Sequence, residues 1–274
     1  MTTTSGKPAR SSAGVISAER SRSLFRWNLA LAALHGVQFV VMLVLSLAQE
    51  PMASWPIVSS YLTFDTATRD LVPATRTVVE LPIGPAVASF FAMSAIAHLV
   101  VAVPARGWYE RRLARHQNPA RWIEYAFSSS VMIVVIAMLT GIREVGTLIA
   151  IVGANAAMNL FGWSMEAANE GRDRPQWLHY IFGCVAGAVP WLVISVALLT
   201  GLTAPDAAPI PGFVIAIYVS LFVSFNIFAL NMVFQFTRIG RWRDYLYGER
   251  AYMFLSLFAK TLLAWQVWSG TLRP

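Results

Sequence analysis

Seven apolar stretches, each long enough to cross a lipid bilayer as a helix, account for most of the chain. A membrane-spanning helix needs about 20 consecutive apolar residues, and in lipid its backbone polar groups must be paired within the segment. Hydrophobic residues make up 57% of the chain and charged residues only 13%, too few to cover a soluble domain of this size. The sequence therefore predicts an all-α membrane protein, a bundle of seven transmembrane helices. The predicted spans are 27–48, 83–104, 119–141, 144–167, 177–200, 211–236 and 250–270.

The basic residues are distributed unequally between the two sides of this bundle. Residues 1–26 are rich in Ser, Thr, Ala and Arg and lack an apolar core, which predicts a disordered basic tail rather than a signal peptide, with the membrane domain at 27–274. Sixteen of the 21 Lys and Arg residues lie in this tail and in the loops on its side. Because basic residues stay on the cytoplasmic side, we expect a cell-membrane protein with a cytoplasmic N-terminus and an extracellular C-terminus. The net charge of +7 then reflects topology and lipid contact, and no nucleic-acid partner is expected.

One connection, residues 49–82, is long enough to fold by itself. Its β-branched and aromatic residues concentrate at 58–64 and 76–81, with Asp, Thr and Pro between them. We expect a small extracellular β-hairpin between the first and second helices. The sequence has no Gly-rich phosphate loop and no Cys/His cluster with metal-ligand spacing, and its single cysteine excludes a disulfide within the chain.

A lysine, Lys260, lies in the middle of the last apolar stretch. A charge near the bilayer centre costs about 2.5–3.5 kcal/mol, so such a residue indicates a function. The only other lysine is Lys7 in the tail, and every other basic residue is arginine. Unlike arginine, lysine has an amine that can lose its proton and condense with an aldehyde. A covalent role and a buried ion pair joining two helices both remain open.

Glu124, which follows the start of the third helix, is the best candidate for a partner of Lys260. The alternative for Glu124 is a first-turn glutamate stabilised by the helix N-terminus near Arg121. Glu166 is a weaker candidate because it lies at a predicted helix boundary. At 1.5 Å per residue, Glu124 is about 7 Å and Lys260 about 15 Å into their helices. Direct contact therefore requires helix tilt, an earlier start of the third helix, or side chains that reach towards each other.

Two histidines lie within predicted spans. His35 and His98 are each about 12 Å from the cytoplasmic end at helical rise. Taken singly, either is more often a hydrogen-bonded core residue than a functional one. With Gln38, Ser94 and Glu124 they bring polar atoms into the cytoplasmic half of the bundle, where each would be costly facing lipid. This pattern predicts a shared hydrated cavity.

Four segments carry a resemblance to a known family. The segments SLFAKTLLAWQVWSGTL (256–272), NPARWIEYAFSSS (118–130), AALHGVQF (32–39) and MSAIAHL (93–99) resemble those of the heliorhodopsins, which are retinal proteins with inverted membrane topology. The resemblance implies a rhodopsin-like fold and a homodimer. It also implies that all-trans retinal forms a protonated Schiff base with Lys260 and that Glu124 is the counterion.

The resemblance assigns further residues to the retinal site. It places Ser256, Ser94 and Ser129 near the Schiff base and Met132 along the retinal chain. It also implies a proton cavity on the cytoplasmic side. The residues assigned to that cavity are His35, His98, Gln38, Asn118, Arg121 and Tyr125.

The distribution of intramembrane acids favours a sensor over a pump. Outward proton pumps of the larger microbial rhodopsin group use two carboxylates near the Schiff base and a third as proton donor. Here Ser256 precedes the lysine by one turn, and Val134 and Val135 follow Glu124 by three turns, so half of that relay is missing. We therefore expect a sensory photoreceptor, not an enzyme, that moves its proton to the cytoplasmic-side cavity without net transport. A light-gated or light-driven ion or proton transporter remains the alternative, as does a seven-helix protein without retinal, and the sequence names no signalling partner.

Overall fold

A computed structural model describes residues 16–272, and within that range the chain forms eight α-helices and one two-stranded sheet. Six helices, α1, α2 and α4–α7, are long and apolar enough to cross a membrane by length and composition. The last helix, α8, is less apolar because it contains Glu249, Arg250 and Lys260, yet it packs against α1, α2 and α7 as the seventh helix of the bundle. The predicted fold class is confirmed. The elements are α1 (Ala18–Leu47), β1 (Ser54–Asp65), β2 (Asp70–Pro82), α2 (Ile83–Ala102), α3 (Arg106–Leu113), α4 (Pro119–Leu139), α5 (Val145–Ala168), α6 (Leu178–Thr203), α7 (Gly212–Thr237) and α8 (Tyr245–Val267).

The first helix begins earlier than predicted. It starts at Ala18, so the prediction of a disordered tail is wrong for residues 18–26, while residues 1–15 lie outside the described range. Ser17 caps the helix by accepting a hydrogen bond from the Arg20 N–H at 3.4 Å. Leu24 is buried in an apolar cluster with Tyr109 of the short helix α3. Through this contact the first turns of α1 pack against α3. A hydropathy pattern cannot predict such packing, because it identifies only segments that are apolar along their whole length.

The last helix also begins before its predicted start at residue 250. It starts at Tyr245, where the Asp244 carboxylate accepts a hydrogen bond from the Leu246 N–H at 3.1 Å. Residues 245–249 resemble a polar loop in sequence, but Tyr245, Leu246 and Glu249 are buried. Their burial indicates that the first turn of α8 already packs against the rest of the protein, before the apolar stretch begins.

The hairpin follows the first helix, as predicted, and its strands are longer than the sequence indicated. Strand β1 pairs antiparallel with β2 from Ser54 opposite Pro82 to Asp65 opposite Asp70. At the turn, the Asp65 carboxylate accepts a hydrogen bond from the Ala67 N–H at 2.9 Å, which lowers the pKa of Asp65. At its base the hairpin is fixed to the α4–α5 connection. There the Val58 N–H donates to the Arg143 carbonyl at 2.9 Å, and the Arg143 guanidinium lies 5.0 Å from the ring centroid of Trp55.

The two ends of the bundle differ in chemistry. One end carries the hairpin and is called the hairpin end; the other carries the start of α1, helix α3 and the α5–α6 and α7–α8 connections, and is called the arginine-rich end. A large apolar cluster fills the core towards the hairpin end. Its fully buried members include Phe90, Ile133, Val135, Ile136 and Leu263.

A glycine lets α1 and α2 approach closely. A Cβ atom added to Gly84 would overlap the side chain of Ser46, which is itself buried. We expect Gly84→Ala to destabilise the fold by about 1–3 kcal/mol, the usual cost of overpacking a tight contact. Gly36→Ala is the matched control, because a Cβ there meets nothing within 4 Å. Thermal unfolding of both variants in detergent checks this prediction, and equal unfolding temperatures would contradict it.

Candidate functional site

Lys260 is buried at the meeting point of three helices. Its Nζ atom donates a hydrogen bond to Ser256 Oγ at 2.8 Å and lies 3.3 Å from Glu124 Oε1. Glu124 Oε1 also accepts a hydrogen bond from the Ser94 hydroxyl of α2 at 2.7 Å. The side chain of Lys260 is only 3% exposed and that of Glu124 10% exposed. The structure thus brings together four of the predicted site residues as a buried ion pair with two serine hydroxyls.

The register between α4 and α8 explains why Glu124 and Lys260 meet despite their different predicted depths. Asn118 at the start of α4 donates a side-chain hydrogen bond to Glu249 Oε2 at 2.7 Å, which places these two residues at the same level. At 1.5 Å per residue, Glu124 then lies about 9 Å and Ser256 about 10 Å beyond that level. Helical side chains lean towards the N-terminus, and the Lys260 side chain extends back one turn to Ser256. The amine therefore reaches the level of the carboxylate.

An elongated cavity begins at Lys260 and extends among α4, α5, α6 and α7. It comprises about 820 Å³ of space, part of which is open to the outside of the bundle. Its walls are mainly apolar and aromatic, and Lys260 provides a single amine at one end. A Cβ atom at Gly162 would overlap the Trp122 ring, so the glycine leaves room for the indole in this wall. The apolar, aromatic wall with one lysine amine suits an extended apolar aldehyde such as retinal in chemistry. The residues that line it include Trp122, Tyr125, Ser129, Met132, Phe225, Phe228, Ser256 and Ala259.

Ser129 and Met132 lie on the wall of this cavity, as predicted for residues near retinal. The Ser129 hydroxyl accepts hydrogen bonds from Asn155 Nδ2 at 2.7 Å and Asn159 Nδ2 at 3.1 Å. These two asparagines of α5 were not among the site residues predicted from the sequence. Their signal was available, because two amides four residues apart in an apolar helix lie on one face and need buried partners.

A second cavity lies on the arginine-rich side of the ion pair. It encloses about 430 Å³ of empty space, and Glu124 and Ser256 form part of its wall. Four of the residues assigned to the proton cavity line it, namely His98, Asn118, Arg121 and Tyr125. Glu124, the expected counterion, lines it as well. Asn28 and Glu249, which the sequence analysis had not singled out, line it as well.

Two other residues assigned to the proton cavity, His35 and Gln38, do not line it. His35 is fully buried and stacks on His98, with ring centroids 5.7 Å apart. Neither ring nitrogen of His35 has a hydrogen-bond partner among the described residues, whereas His98 Nδ1 lies 2.8 Å from Asn28 Oδ1. Gln38 accepts a hydrogen bond from the Thr261 hydroxyl at 2.9 Å, next to Lys260 in sequence.

A buried charge cluster closes the second cavity towards the arginine-rich end. Arg121 pairs with Glu166 at 2.5 Å and with Glu249, and both carboxylates are almost inaccessible to solvent. Glu166 lies in the last turn of α5, at the helix end as predicted, but it is buried: the Asn118 N–H donates to its Oε2 at 2.7 Å and the Tyr245 hydroxyl to its Oε1 at 3.2 Å. Arg121, Glu166 and Glu249 connect α4, α5 and α8 through buried, charge-assisted contacts.

Two aromatic rings contact the guanidinium of Arg121. Its central carbon lies 3.9 Å from the ring centroid of Tyr252 and 4.4 Å from that of Trp122. Cation–π contacts of this kind are strongest where water is excluded. The cluster therefore holds the ends of three helices rigidly beside the Glu124–Lys260 pair.

Comparison with known proteins gives one family. The model of the heliorhodopsin family matches residues 24–272, which is nearly the whole chain. No curated protein matches the chain.

Proposed function

The chain belongs to the heliorhodopsin family, and on that premise we propose that it is a sensory photoreceptor with all-trans retinal linked to Lys260. Family membership and the apolar helices support a membrane-embedded, retinal-binding, rhodopsin-like protein. The single observation that carries the proposal is the placement of Lys260, whose amine lies at the end of an apolar cavity and 3.3 Å from the Glu124 carboxylate. When bound, retinal supplies the absorption of visible light and a change of shape.

The residues around Lys260 hold and balance a charge. Lys260 forms the covalent link through Nζ, and Glu124 balances the positive charge at that nitrogen, because an uncompensated charge in this buried setting is costly. Ser94 donates to Glu124 and Ser256 accepts from Lys260, and these two contacts fix the orientation of the pair. Met132 and Ser129 shape the wall along the bound ligand.

The second cavity is the proposed destination of the proton released from the Lys260 nitrogen. It adjoins Glu124 and Ser256 and contains His98, Asn118 and Tyr125 on its wall. His35 stacks on His98 behind this wall, and Gln38 contacts Thr261, the residue after Lys260. Arg121, paired with two carboxylates, closes the cavity towards the arginine-rich end and keeps the proton within the protein.

Neutralising the counterion is expected to change the colour of the protein. Glu124→Gln removes the negative charge beside the Lys260 nitrogen while keeping the side-chain shape, so the visible absorption band should shift. Glu110→Gln is the matched control, since Glu110 lies in α3, is partly exposed and pairs with Arg106 at 2.9 Å. Absorption spectra of both variants with all-trans retinal check the prediction. A Glu124→Gln spectrum identical to that of the wild type would rule out Glu124 as the counterion.

Sensing without net transport is favoured over an ion transporter. A transported ion needs polar groups along the whole bundle, yet fully buried apolar side chains fill the core towards the hairpin end. We expect no light-induced current when the protein is expressed in a voltage-clamped membrane. A steady current would overturn the sensory proposal and favour a light-driven pump, whereas a current that follows the applied voltage would favour a channel.

The orientation and assembly of the protein complete the proposal. The excess of arginine at the end that carries the start of α1 supports a cytoplasmic N-terminus and an extracellular hairpin. As the family resemblance implies, the protein acts as a homodimer in the lipid membrane. Antibody access to an N-terminal epitope tag, compared between intact and permeabilised cells, reports the orientation directly.

A further inference from the structure

A third cavity opens at the arginine-rich end, outside the retinal site. It lies between the α5–α6 connection, the end of α7 and the turn that follows it, and comprises about 1,000 Å³ of space that is partly open to solvent. His116, from the α3–α4 connection, forms part of its rim, and Glu166 and Tyr245 lie on its wall. Because Glu166 belongs to the Arg121 cluster, this cavity and the second cavity lie on opposite sides of that cluster.

Arginine side chains gather in the third cavity. Three arginines line it, Arg172, Arg238 and Arg243. Within residues 16–272, Arg238 and Arg243 form no ion pair and no side-chain hydrogen bond, whereas Arg172 Nε donates to the Ala168 carbonyl at 2.7 Å. The guanidinium groups of Arg238 and Arg243 are therefore available to a ligand.

Two of the three acidic residues that line the cavity have partners other than its arginines. Glu166 is paired with Arg121. Glu170 accepts a hydrogen bond from Gln117 Nε2 at 2.6 Å and lies 4.0 Å from Arg115 Nε. None of the three carboxylates forms an ion pair with Arg172, Arg238 or Arg243 among the described residues.

Backbone conformation singles out the same cavity. Among the described residues, three residues other than glycine have positive φ, and two of them, His116 at 57° and Arg238 at 54°, line this cavity. Arg238 ends α7 in the left-handed conformation, a position that glycine usually occupies because it has no Cβ. Strained backbone of this kind concentrates at functional sites. An arginine at this position indicates that its side chain has a role in the third cavity, which it lines.

We propose that the third cavity binds a phosphate group, either free or on a lipid headgroup. Arginine suits this ligand because its planar guanidinium can donate two parallel hydrogen bonds to phosphate oxygens. Arg238 and Arg243 supply these donors, and Arg172 adds positive charge at the facing wall. Burial and the charge of Arg238 lower the pKa of His116, so its imidazole is neutral and contributes a hydrogen bond instead of charge. The proposal does not depend on retinal binding.

Thermal unfolding with inorganic phosphate tests the site. The full chain is placed in nanodiscs of neutral phosphatidylcholine, and phosphate replaces chloride at constant ionic strength. The unfolding temperature of the wild type should rise with phosphate and reach a plateau, because a ligand that binds the folded state stabilises it. Arg238→Gly should fold at least as well as the wild type, since glycine favours the positive φ, but should lose the phosphate-dependent rise.

A neighbouring arginine provides the control. Arg174 lies in the same connection as Arg172 and does not line the cavity, so Arg174→Gln removes one positive charge and should keep the phosphate effect. The proposal is overturned if the wild type shows no saturable rise. It is also overturned if Arg238→Gly keeps the rise, because phosphate would then act on the protein without this site.

Nanodiscs of anionic lipid distinguish the two sources of phosphate. If a lipid headgroup is the ligand, discs containing phosphatidic acid should raise the unfolding temperature of the wild type but not of Arg238→Gly, and added phosphate should have no further effect. If the ligand is soluble, the rise with inorganic phosphate should be the same in both kinds of disc. An equal effect of phosphatidic acid on the wild type and Arg238→Gly would exclude the headgroup as ligand.

Discussion

Replacing Lys260 with alanine is expected to abolish visible absorption of the protein after all-trans retinal is added. The apolar cavity has this one lysine on its wall, and the chain contains only one other, Lys7. Without an amine at this end of the cavity, a covalent link and its positive charge cannot form there. Absorption spectra of the purified variant and the wild type measure the effect. Lys7→Ala is the matched control and should keep the wild-type band.

Loss of colour must be distinguished from loss of fold. Lys260→Ala leaves the Glu124 carboxylate buried without its cation, which costs about 3–5 kcal/mol when a buried ion pair is broken from one side. The double variant Lys260→Ala/Glu124→Gln removes both charges and should recover much of that stability while remaining colourless. A visible band in the folded double variant would show that retinal does not need Lys260.

Replacing Arg121 with glutamine is expected to destabilise the protein by about 3–5 kcal/mol, the cost of leaving buried carboxylates uncompensated. Arg121 pairs with both Glu166 and Glu249, and its guanidinium packs against two aromatic rings. Glutamine can replace one hydrogen bond but neither the charge nor the stacking. Chemical or thermal unfolding in detergent measures the change.

An exposed ion pair provides the control for Arg121→Gln. Arg106 pairs with Glu110 one turn away in α3, and its side chain is 37% exposed. Arg106→Gln should cost less, about 1–2 kcal/mol, because water screens the ion pair and the other losses are one hydrogen bond to Ser21 Oγ and a contact with the Phe25 ring. Adding Glu166→Gln and Glu249→Gln to Arg121→Gln should restore part of the lost stability. If Arg121→Gln costs no more than Arg106→Gln, the cluster does not hold the helix ends together.

The sequence predicted the helices well where a physical requirement leaves few solutions. A span of fixed length must be apolar, and five of the seven predicted spans start within one residue of the observed helices. The cap at Asn118 is an example, since its side chain accepts the Arg121 N–H at 3.1 Å and Pro119 follows in the first turn. The starts of α1 and α8 were missed because buried contacts between polar segments, and not hydropathy, stabilise them.

The same limit applies to the site. Lys260 and Glu124 stand out because a charge inside an apolar stretch is rare. Glu249 gave no such signal, because its neighbours Tyr247, Gly248 and Arg250 resemble a loop. Without the contact between Asn118 and Glu249, the relative depth of α4 and α8 could not be fixed. The distance between Glu124 and Lys260 therefore required the three-dimensional structure.

Chemical mapping identifies the residue to which retinal is attached. The wild type is incubated with all-trans retinal, reduced with borohydride to convert a Schiff base into a stable amine, digested and analysed by mass spectrometry. The account predicts a retinyl group on the peptide that contains Lys260 and none on the peptide that contains Lys7. A retinyl group on Lys7 alone, or no modified peptide from a coloured protein, would contradict it.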